Sequence, residues 1–381
     1  MDKAESKPAA KSGAGLEGVV AAESAIGDVD GLNGVLIYQG LDIHDLAEHS
    51  TFEETVFLLW HGRLPKREEL DALRGELASA MRLPGEVVEL MRAFPRDAEP
   101  MDALRTAVSA LAFYDEGARD LSREGALRTA TRLTAQLPVV VAGFGRLREG
   151  KELIEADPSL NVASNFLYML KGEEPDAREA RIFDACLVLH ADHELNASTF
   201  TARVIAGTLA DMYGAVTGAI AALSGPLHGG ANTNVMKMLL EIGSPDRAEE
   251  WLRDALAKKK KIMGFGHRVY KTEDPRSVWL RRFSKEVGEE RGETRWFEIL
   301  ERLRALMFAE KKLYPNVDYY SGSVYYQFGI PLDLFTPIFA VSRISGWTGH
   351  ILEQYANNRL IRPRAEYVGP RGVKYVPIEE R

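Results

Sequence analysis

Four stretches of this chain hold residue types that can do chemistry. Residues 224–234 read SGPLHGGANTN, with one imidazole, His228, between Pro226 and the pair Gly229 and Gly230. Such a histidine is either a helix-boundary residue or one presented to a ligand that needs close backbone approach. Residues 190–194 read HADHE. That spacing could suit metal ligands, but a zinc site wants further ligands from a partner segment and no second cluster stands out, so no metal is expected. His193 falls on one helical stripe with Ile182, Cys186 and Leu189. It should face inward, either as a satisfied core residue or as a functional one. Residues 258–276, KKKKIMGFGHRVYKTEDPR, set His267 behind a Gly-Phe-Gly turn, with Arg268, Lys271 and Arg276 close by. Lysines at a helix end commonly answer its dipole, while a basic cluster beside a glycine loop also suits a polyphosphate. In YPNVDYYSG, residues 314–322, Asp318 sits among aromatic residues. Desolvation there would raise its pKa and make it a usable base; the alternative is an ordinary turn aspartate. Arg276, Arg343 and Arg362 offer three guanidinium groups that suit a small di- or tricarboxylate, though no spacing rule brings them together and each is otherwise a surface arginine.

The elements that must position these groups read as helices. The opening MDKAESKPAAKSG has no apolar core and is expected to be a disordered tail over residues 1–13. GVLIYQG, residues 34–40, is the best strand candidate, closed by glycines at both ends. From there the signals turn helical. TFEETVFLLWHG carries Thr51 and Glu54 at capping-box spacing, and Pro65 suits a first helical turn. MDALRTAVSALAFY, NFLYMLKGEEP, EARIFDACLVLHADHE and several later stretches repeat apolar residues at three- and four-residue steps. The pattern predicts a nearly all-α chain with a minor N-terminal β element. Glycine-rich joints fall near residues 225–230, 264–266 and 321–322, and two of them could bound a mobile middle segment, roughly 222–326. The expected division is a large helical domain, 14–221 with 327–381, and a small domain, 222–326.

Composition removes other classes. A net charge of −8 argues against general binding to nucleic acid or to anionic membranes, whose phosphates need a basic field. The single cysteine, Cys186, cannot form an internal disulfide, which fits a reducing compartment. No uncharged apolar run reaches the roughly 18 residues of a membrane span, and the N-terminus does not read as a signal peptide. A cytoplasmic protein is expected. GRLREGKE, residues 145–152, nearly spells a phosphate-binding loop, but Glu152 stands where Ser or Thr would hold magnesium and the stretch follows a helix.

In order along the chain, HADHELNASTFTAR, GPLHGGAN, GFGHRVYKTEDPR, YPNVDYYSG and FTPIFAVSRISGW followed by IRPRAEY resemble the signature segments of citrate synthase. The opening GLEGVVAAESAIGDVDG and GVLIYQG is similar too, so the resemblance covers nearly all of residues 15–377. It implies an almost wholly helical fold, a mobile small domain and a dimer of the shorter kind. It implies that His228, His267 and Asp318 are catalytic. His193, Arg276, Arg343 and Arg362 would bind oxaloacetate, with Arg362 delivered across the dimer interface. Ile262, Gly264 and Lys271 would contact coenzyme A, with Arg268 and Asn316 as further contacts. No permanently bound cofactor is implied; acetyl-CoA is a co-substrate. Thr233 departs from the glutamate that many relatives carry after GGAN. Two rivals remain: 2-methylcitrate synthase, which uses propionyl-CoA on the same framework, and a non-catalytic helical scaffold.

Overall fold

The computed structural model describes residues 14–16 and 18–381, so the tail expected over residues 1–13 lies outside the described residues. Three short strands open the described chain: β1 (Gly27–Asp30), β2 (Val35–Tyr38) and β3 (Leu41–Asp42). β2 pairs antiparallel with both neighbours, from Gly27↔Tyr38 to Asp30↔Val35 on one side and Ile37↔Asp42 on the other. Leu36 and Tyr38 alternate into the core, as a half-buried strand requires. The sequence reading found only this strand. The sequence of β1, GDVD, has a single apolar residue and no alternation to detect, so pairing alone makes it a strand.

Sixteen α-helices follow among the described residues: α1 (Ile43–His49), α2 (Phe52–His61), α3 (Arg67–Ala80), α4 (Gly85–Arg92), α5 (Pro100–Leu111), α6 (Arg123–Leu147), α7 (Val162–Lys171) and α8 (Ala177–His190). Then come α9 (Ala197–Ala206), α10 (Met212–Leu223), α11 (Ala231–Ile242), α12 (Ala248–Ala257), α13 (Pro275–Arg291), α14 (Arg295–Lys311), α15 (Val317–Gln327) and α16 (Phe335–Ala356). The all-α expectation holds. Thr51 and Glu54 form the expected capping box of α2, closing two otherwise orphaned N–H groups. Pro65 does not enter a helix. Lys66 takes an extended conformation and receives the Glu69 side chain on its backbone N–H, so α3 starts after it. The near-phosphate-loop stretch begins inside α6, where Gly145 is helical and cannot cradle an anion.

α16 runs through the core, burying Ile338, Val341, Ile344, Trp347 and Ile351 against α2, α6, α8, α9 and α10. α15 packs on α11, α13 and α14. Two of the three expected glycine joints are loops. Gly264 and Gly266 both have positive φ, and the stretch 225–230 is the turn between α10 and α11. The third is not a joint: Ser321 and Gly322 lie inside α15, and a Cβ on Gly322 would meet the Asn232 carbonyl oxygen at 2.6 Å. Gly322 is there so that α15 can press against the start of α11.

Buried carboxylates tie the first helices together. Glu53 accepts from Val162 N at 2.8 Å, and Asp184 accepts from Phe52 N at 3.1 Å, each closing an N-terminal donor of another helix. Burial pushes the Asp184 carboxyl up to about 8, with Glu53 adding to the shift. A folded pKa above the unfolded value means that the folded chain holds the proton where the unfolded chain has lost it. Stability should therefore fall as pH rises from about 4 to about 8. Asp184→Asn keeps the acceptor for Phe52 N and removes the ionisation. Thermal melts across that range should show a shallower decline for the variant; an identical slope would refute this account.

Candidate active site

The fold brings the four singled-out stretches to one place. His193 arrives by a different route from the one its stripe suggested. α8 stops at His190, whose Nδ1 lies 2.6 Å from the Cys186 carbonyl oxygen, and His193 sits in the connection 191–196. Asn196 then caps α9 by accepting from Thr199 N at 3.1 Å. The connection is held from outside: Tyr38 Oη donates to Asp192 O at 2.9 Å, and Gly346 N donates to Ala191 O at 3.1 Å. His193 is buried and its Nε2 lies 3.3 Å from Tyr270 Oη. Its ring packs edge-on to that of His267, with centroids 5.1 Å apart. Because His190 turns back on its own helix, HADHE does not present two imidazoles together. Among the described residues no group of three or more His, Cys, Asp or Glu could hold a metal.

The tautomers of the other two histidines follow from backbone donors. Ser198 N can only donate, and it points at His228 Nε2 from 3.2 Å, while Ser198 Oγ lies 2.8 Å from the same nitrogen. His228 Nε2 is therefore an acceptor and the ring proton sits on Nδ1, which has no partner among the described residues. Trp347 Nε1 donates to Ser198 Oγ at 3.1 Å, fixing the serine from behind. His267 is oriented the opposite way. Val269 N and Tyr270 N donate to its Nδ1 at 3.0 and 3.1 Å, leaving the proton on Nε2. Both rings stay neutral. Burial, aided by Arg343, draws His228 down to about 4; burial, aided by Arg276, draws His267 down to about 4. Burial also lowers His193 well below its ordinary range. The site thus offers uncharged N–H donors at neutral pH.

Asp318 stands in the first turn of α15, and Asn316 sets it there. Asn316 Oδ1 accepts from Asp318 N at 3.1 Å, its amide donates to Gly266 O at 2.9 Å, and its backbone N–H donates to Gly264 O at 2.9 Å. One residue thus ties Asp318 to the loop that carries His267. Burial lifts the Asp318 carboxyl to about 6, against the pull of Arg276. Asp318 therefore sits in a capped first helical turn rather than in an ordinary turn.

The arginines separate. Arg276 is 2% exposed and pairs with Asp274 through Nε and Nη2 at 2.9 and 2.7 Å, which keeps it charged despite burial. Its Nη1 has no partner among the described residues. Arg343 is 1% exposed, donates through Nε to His190 O at 2.7 Å and stacks on Phe339. Burial draws it down to about 10, still charged at neutral pH, and no described carboxylate pairs with it. Arg362 is exposed in the segment after α16, beside Arg203, Glu353 and Leu360, and does not join the others within its own chain.

Of the expected coenzyme A residues, Ile262 and Gly264 line the loop before His267. Lys271 is exposed and its backbone N–H donates to Gly31 O at 2.7 Å, while Arg268 lies on the surface nearby. Asn316 serves as the cap just described. Thr233 donates its hydroxyl to Leu332 O at 2.8 Å, a packing contact at the start of α11. Sequence reasoning missed Ser198, Tyr270 and Asp274. Asp274 was findable as the residue before Pro275, a combination that starts helices. Ser198 and Tyr270 matter through folded neighbours and left no local signal.

Neutral imidazoles, a buried carboxyl of raised pKa and a buried guanidinium in no salt bridge meet at one place, the make-up of an acid–base enzyme acting on an anion. The family model for the citrate synthase C-terminal domain matches residues 15–364. Citrate synthase 2 of Bacillus subtilis is 53% identical over 368 residues, covering 96% of this chain and 98% of its own. A citrate/2-methylcitrate synthase of the same organism is 45% identical, covering 94% and 96%. The solved ternary complex of carboxymethyl coenzyme A and oxaloacetate with citrate synthase from Thermoplasma acidophilum superposes with a TM-score of 0.91 at 34% identity, covering 97% of this chain and 99% of that one. The chain belongs to the citrate synthase family and is an acyltransferase of that kind.

Proposed function

We propose that this site condenses acetyl-CoA with oxaloacetate and hydrolyses the resulting citryl-CoA. The observation that carries the reading is Arg343, a buried guanidinium with no described carboxylate partner, set against His193, His267 and Asp318. Arg343 makes no salt bridge, and the buried Asp192 and Asp318 carboxylates offset its charge only from a distance, so a bound carboxylate would be its direct partner. Arg343, the free Nη1 of Arg276 and His193 would hold the oxaloacetate carboxylates, with Arg362 supplied by a second copy of the chain. The exposed apolar residues beyond α16, including Leu360, Val368 and Tyr375, support such a pairing.

Asp318 takes a proton from the acetyl methyl group. The electron pair moves onto the thioester oxygen, where the Nδ1–H of His228 stabilises the developing charge. The methylene carbon then attacks the ketone carbon of oxaloacetate, and the ketone oxygen takes the Nε2 proton of His267. Water attacks the thioester carbon of citryl-CoA and returns a proton to His267, and coenzyme A leaves as the thiol with the proton that Asp318 took. Ile262, Gly264, Arg268 and Lys271 line the approach for coenzyme A, with Asn316 behind them. Segment 222–326 carries His228, His267, Arg276 and Asp318, while His193 and Arg343 lie outside it. Closure of the one on the other would complete the site and exclude water. Among the described residues no helix is long and apolar enough to cross a membrane, and the lone buried Cys186 supports action in the cytoplasm.

Thiol release in the presence of oxaloacetate, measured in parallel with acetyl-CoA and propionyl-CoA, tests the reading. kcat/KM should favour acetyl-CoA by about ten- to two-hundred-fold, the range that one methylene discriminates in a pocket. A propionyl preference would move the activity to 2-methylcitrate synthesis on the same site. No thiol release with either would overturn the proposal.

A further inference from the structure

The loop that carries His193 is gripped by α16 at two points, and the second has no part in the chemistry above. Arg343 Nε takes His190 O at the start of the loop. Two turns further along α16, His350 Nε2 lies 3.2 Å from Asp192 Oδ1, and both side chains are fully buried. Seven residues is close to two helical turns, so Arg343 and His350 share a face. Between them Gly346 is bare. A Cβ there would meet Ala191 O at 2.4 Å and Asp192 Oδ1 at 2.6 Å, so the loop lies directly on the helix backbone. Gly346 N donates to Ala191 O, and the loop thereby enters the hydrogen-bond ladder of α16.

The orientation of His350 is not free. Its Nδ1 lies 3.2 Å from Arg203 Nη1, and a guanidinium can only donate. Nδ1 must accept, so the proton sits on Nε2 and faces Asp192. Arg203 is itself held by Gln354 Oε1 at 3.0 Å and by Glu353. The Asp192 carboxylate uses its other oxygen to accept from Glu194 N at 3.1 Å. Its bond to Glu194 N spans His193, and Glu194 has a positive φ of 51°. Asp192 Oδ1 and His350 Nε2 make no well-aligned hydrogen bond among the described residues, so the close approach at 3.2 Å is the one polar contact each of these buried atoms has.

We infer that His350 is a positioning residue for oxaloacetate binding: locked by Arg203, it holds Asp192, and Asp192 holds the turn that aims His193. The inference rests on the reading of His193 as a ligand of oxaloacetate. A loss of this contact should loosen the His193 loop without touching the coenzyme A side of the site.

The test compares His350→Phe, which fills the space of the ring without a donor, with His350→Gln, whose amide can donate to Asp192 and accept from Arg203. His193→Ala serves as the reference. His350→Phe should raise the KM for oxaloacetate about ten-fold or more, as removal of a supporting contact behind a ligand does, with the KM for acetyl-CoA unchanged at saturating oxaloacetate. His350→Gln should recover most of the loss. A folded His350→Phe with wild-type KM for oxaloacetate, or a glutamine no better than phenylalanine, overturns the inference. If His350→Phe does not fold, Asp192→Asn attacks the contact from the loop side. Combined with His350→Ala, which also removes the contact, it should cost no more than the larger single change, while simple additivity would count against the coupling. If His193→Ala leaves the oxaloacetate KM unchanged, the reading of His193 itself fails. If His193→Ala raises it and His350→Phe does not, only the positioning role falls.

Discussion

Asp318→Asn should lower kcat by about 10²- to 10⁴-fold, the range a positioned general base supplies, while oxaloacetate binds as before. Asparagine keeps the shape of the side chain and cannot take a methyl proton. The cap from Asn316 acts on the backbone N–H of residue 318, so the start of α15 survives the change. The same residue should set the acid side of the pH profile in the wild-type enzyme. Burial lifts its carboxyl to about 6, so the carboxylate form that works as the base is present above that pH and is lost below it. Activity should therefore fall as pH drops through about 6. Asp318→Asn should keep a small residual rate without that limb. A limb unchanged in the variant would place the base elsewhere.

His228→Ala should lower kcat by about 10²- to 10³-fold, as loss of one donor to a developing oxyanion does. The effect should differ in kind from that of Asp318→Asn. His228 is drawn down to about 4 by burial, so it is neutral across the working range and its removal should leave the acid limb near pH 6 in place. The Nδ1 tautomer depends on Ser198, whose backbone N–H occupies Nε2. A variant that keeps the ring but loses that orientation, Ser198→Pro, would remove the donor at Nε2, although it also alters the start of α9. His228→Ala is therefore the cleaner probe, with kcat compared at pH 8, well above the Asp318 transition.

The helical character of the chain was legible because caps and apolar spacing are local. Thr51 and Glu54 read directly as the box that starts α2, and the GVLIYQG strand is the middle strand of the sheet. The functional residue types were legible too, since a histidine among glycines and an aspartate among aromatics are unusual neighbours. Their meeting was not. His190 and Arg343 stand 153 residues apart in the chain and touch through one hydrogen bond that no spacing rule contains. His193 illustrates a subtler failure. Periodicity extended its helix by three residues too many, because tertiary bonds to Tyr38 and Gly346 pull the chain out of α8 after His190. Its inward position was right and the element was wrong. Ser321 and Gly322 failed for the opposite reason: a glycine that reads as a joint is needed inside a helix when another backbone crosses at contact distance. The position of Arg362, exposed and away from Arg276 and Arg343, accords with delivery to a second copy of the chain, which a single sequence cannot display.

The central claim is that Asp318 takes a proton from the acetyl methyl group in a site organised by an oxaloacetate-like anion. It is tested most directly by incubating the protein in deuterium oxide with acetyl-CoA and malate, which has the two carboxylates of oxaloacetate but no ketone to attack. Deuterium should enter the methyl group of acetyl-CoA with the wild-type protein, and Asp318→Asn should suppress that exchange to the uncatalysed rate. Exchange at the wild-type rate in Asp318→Asn, or none in the wild-type protein while it still forms citrate, would contradict the account.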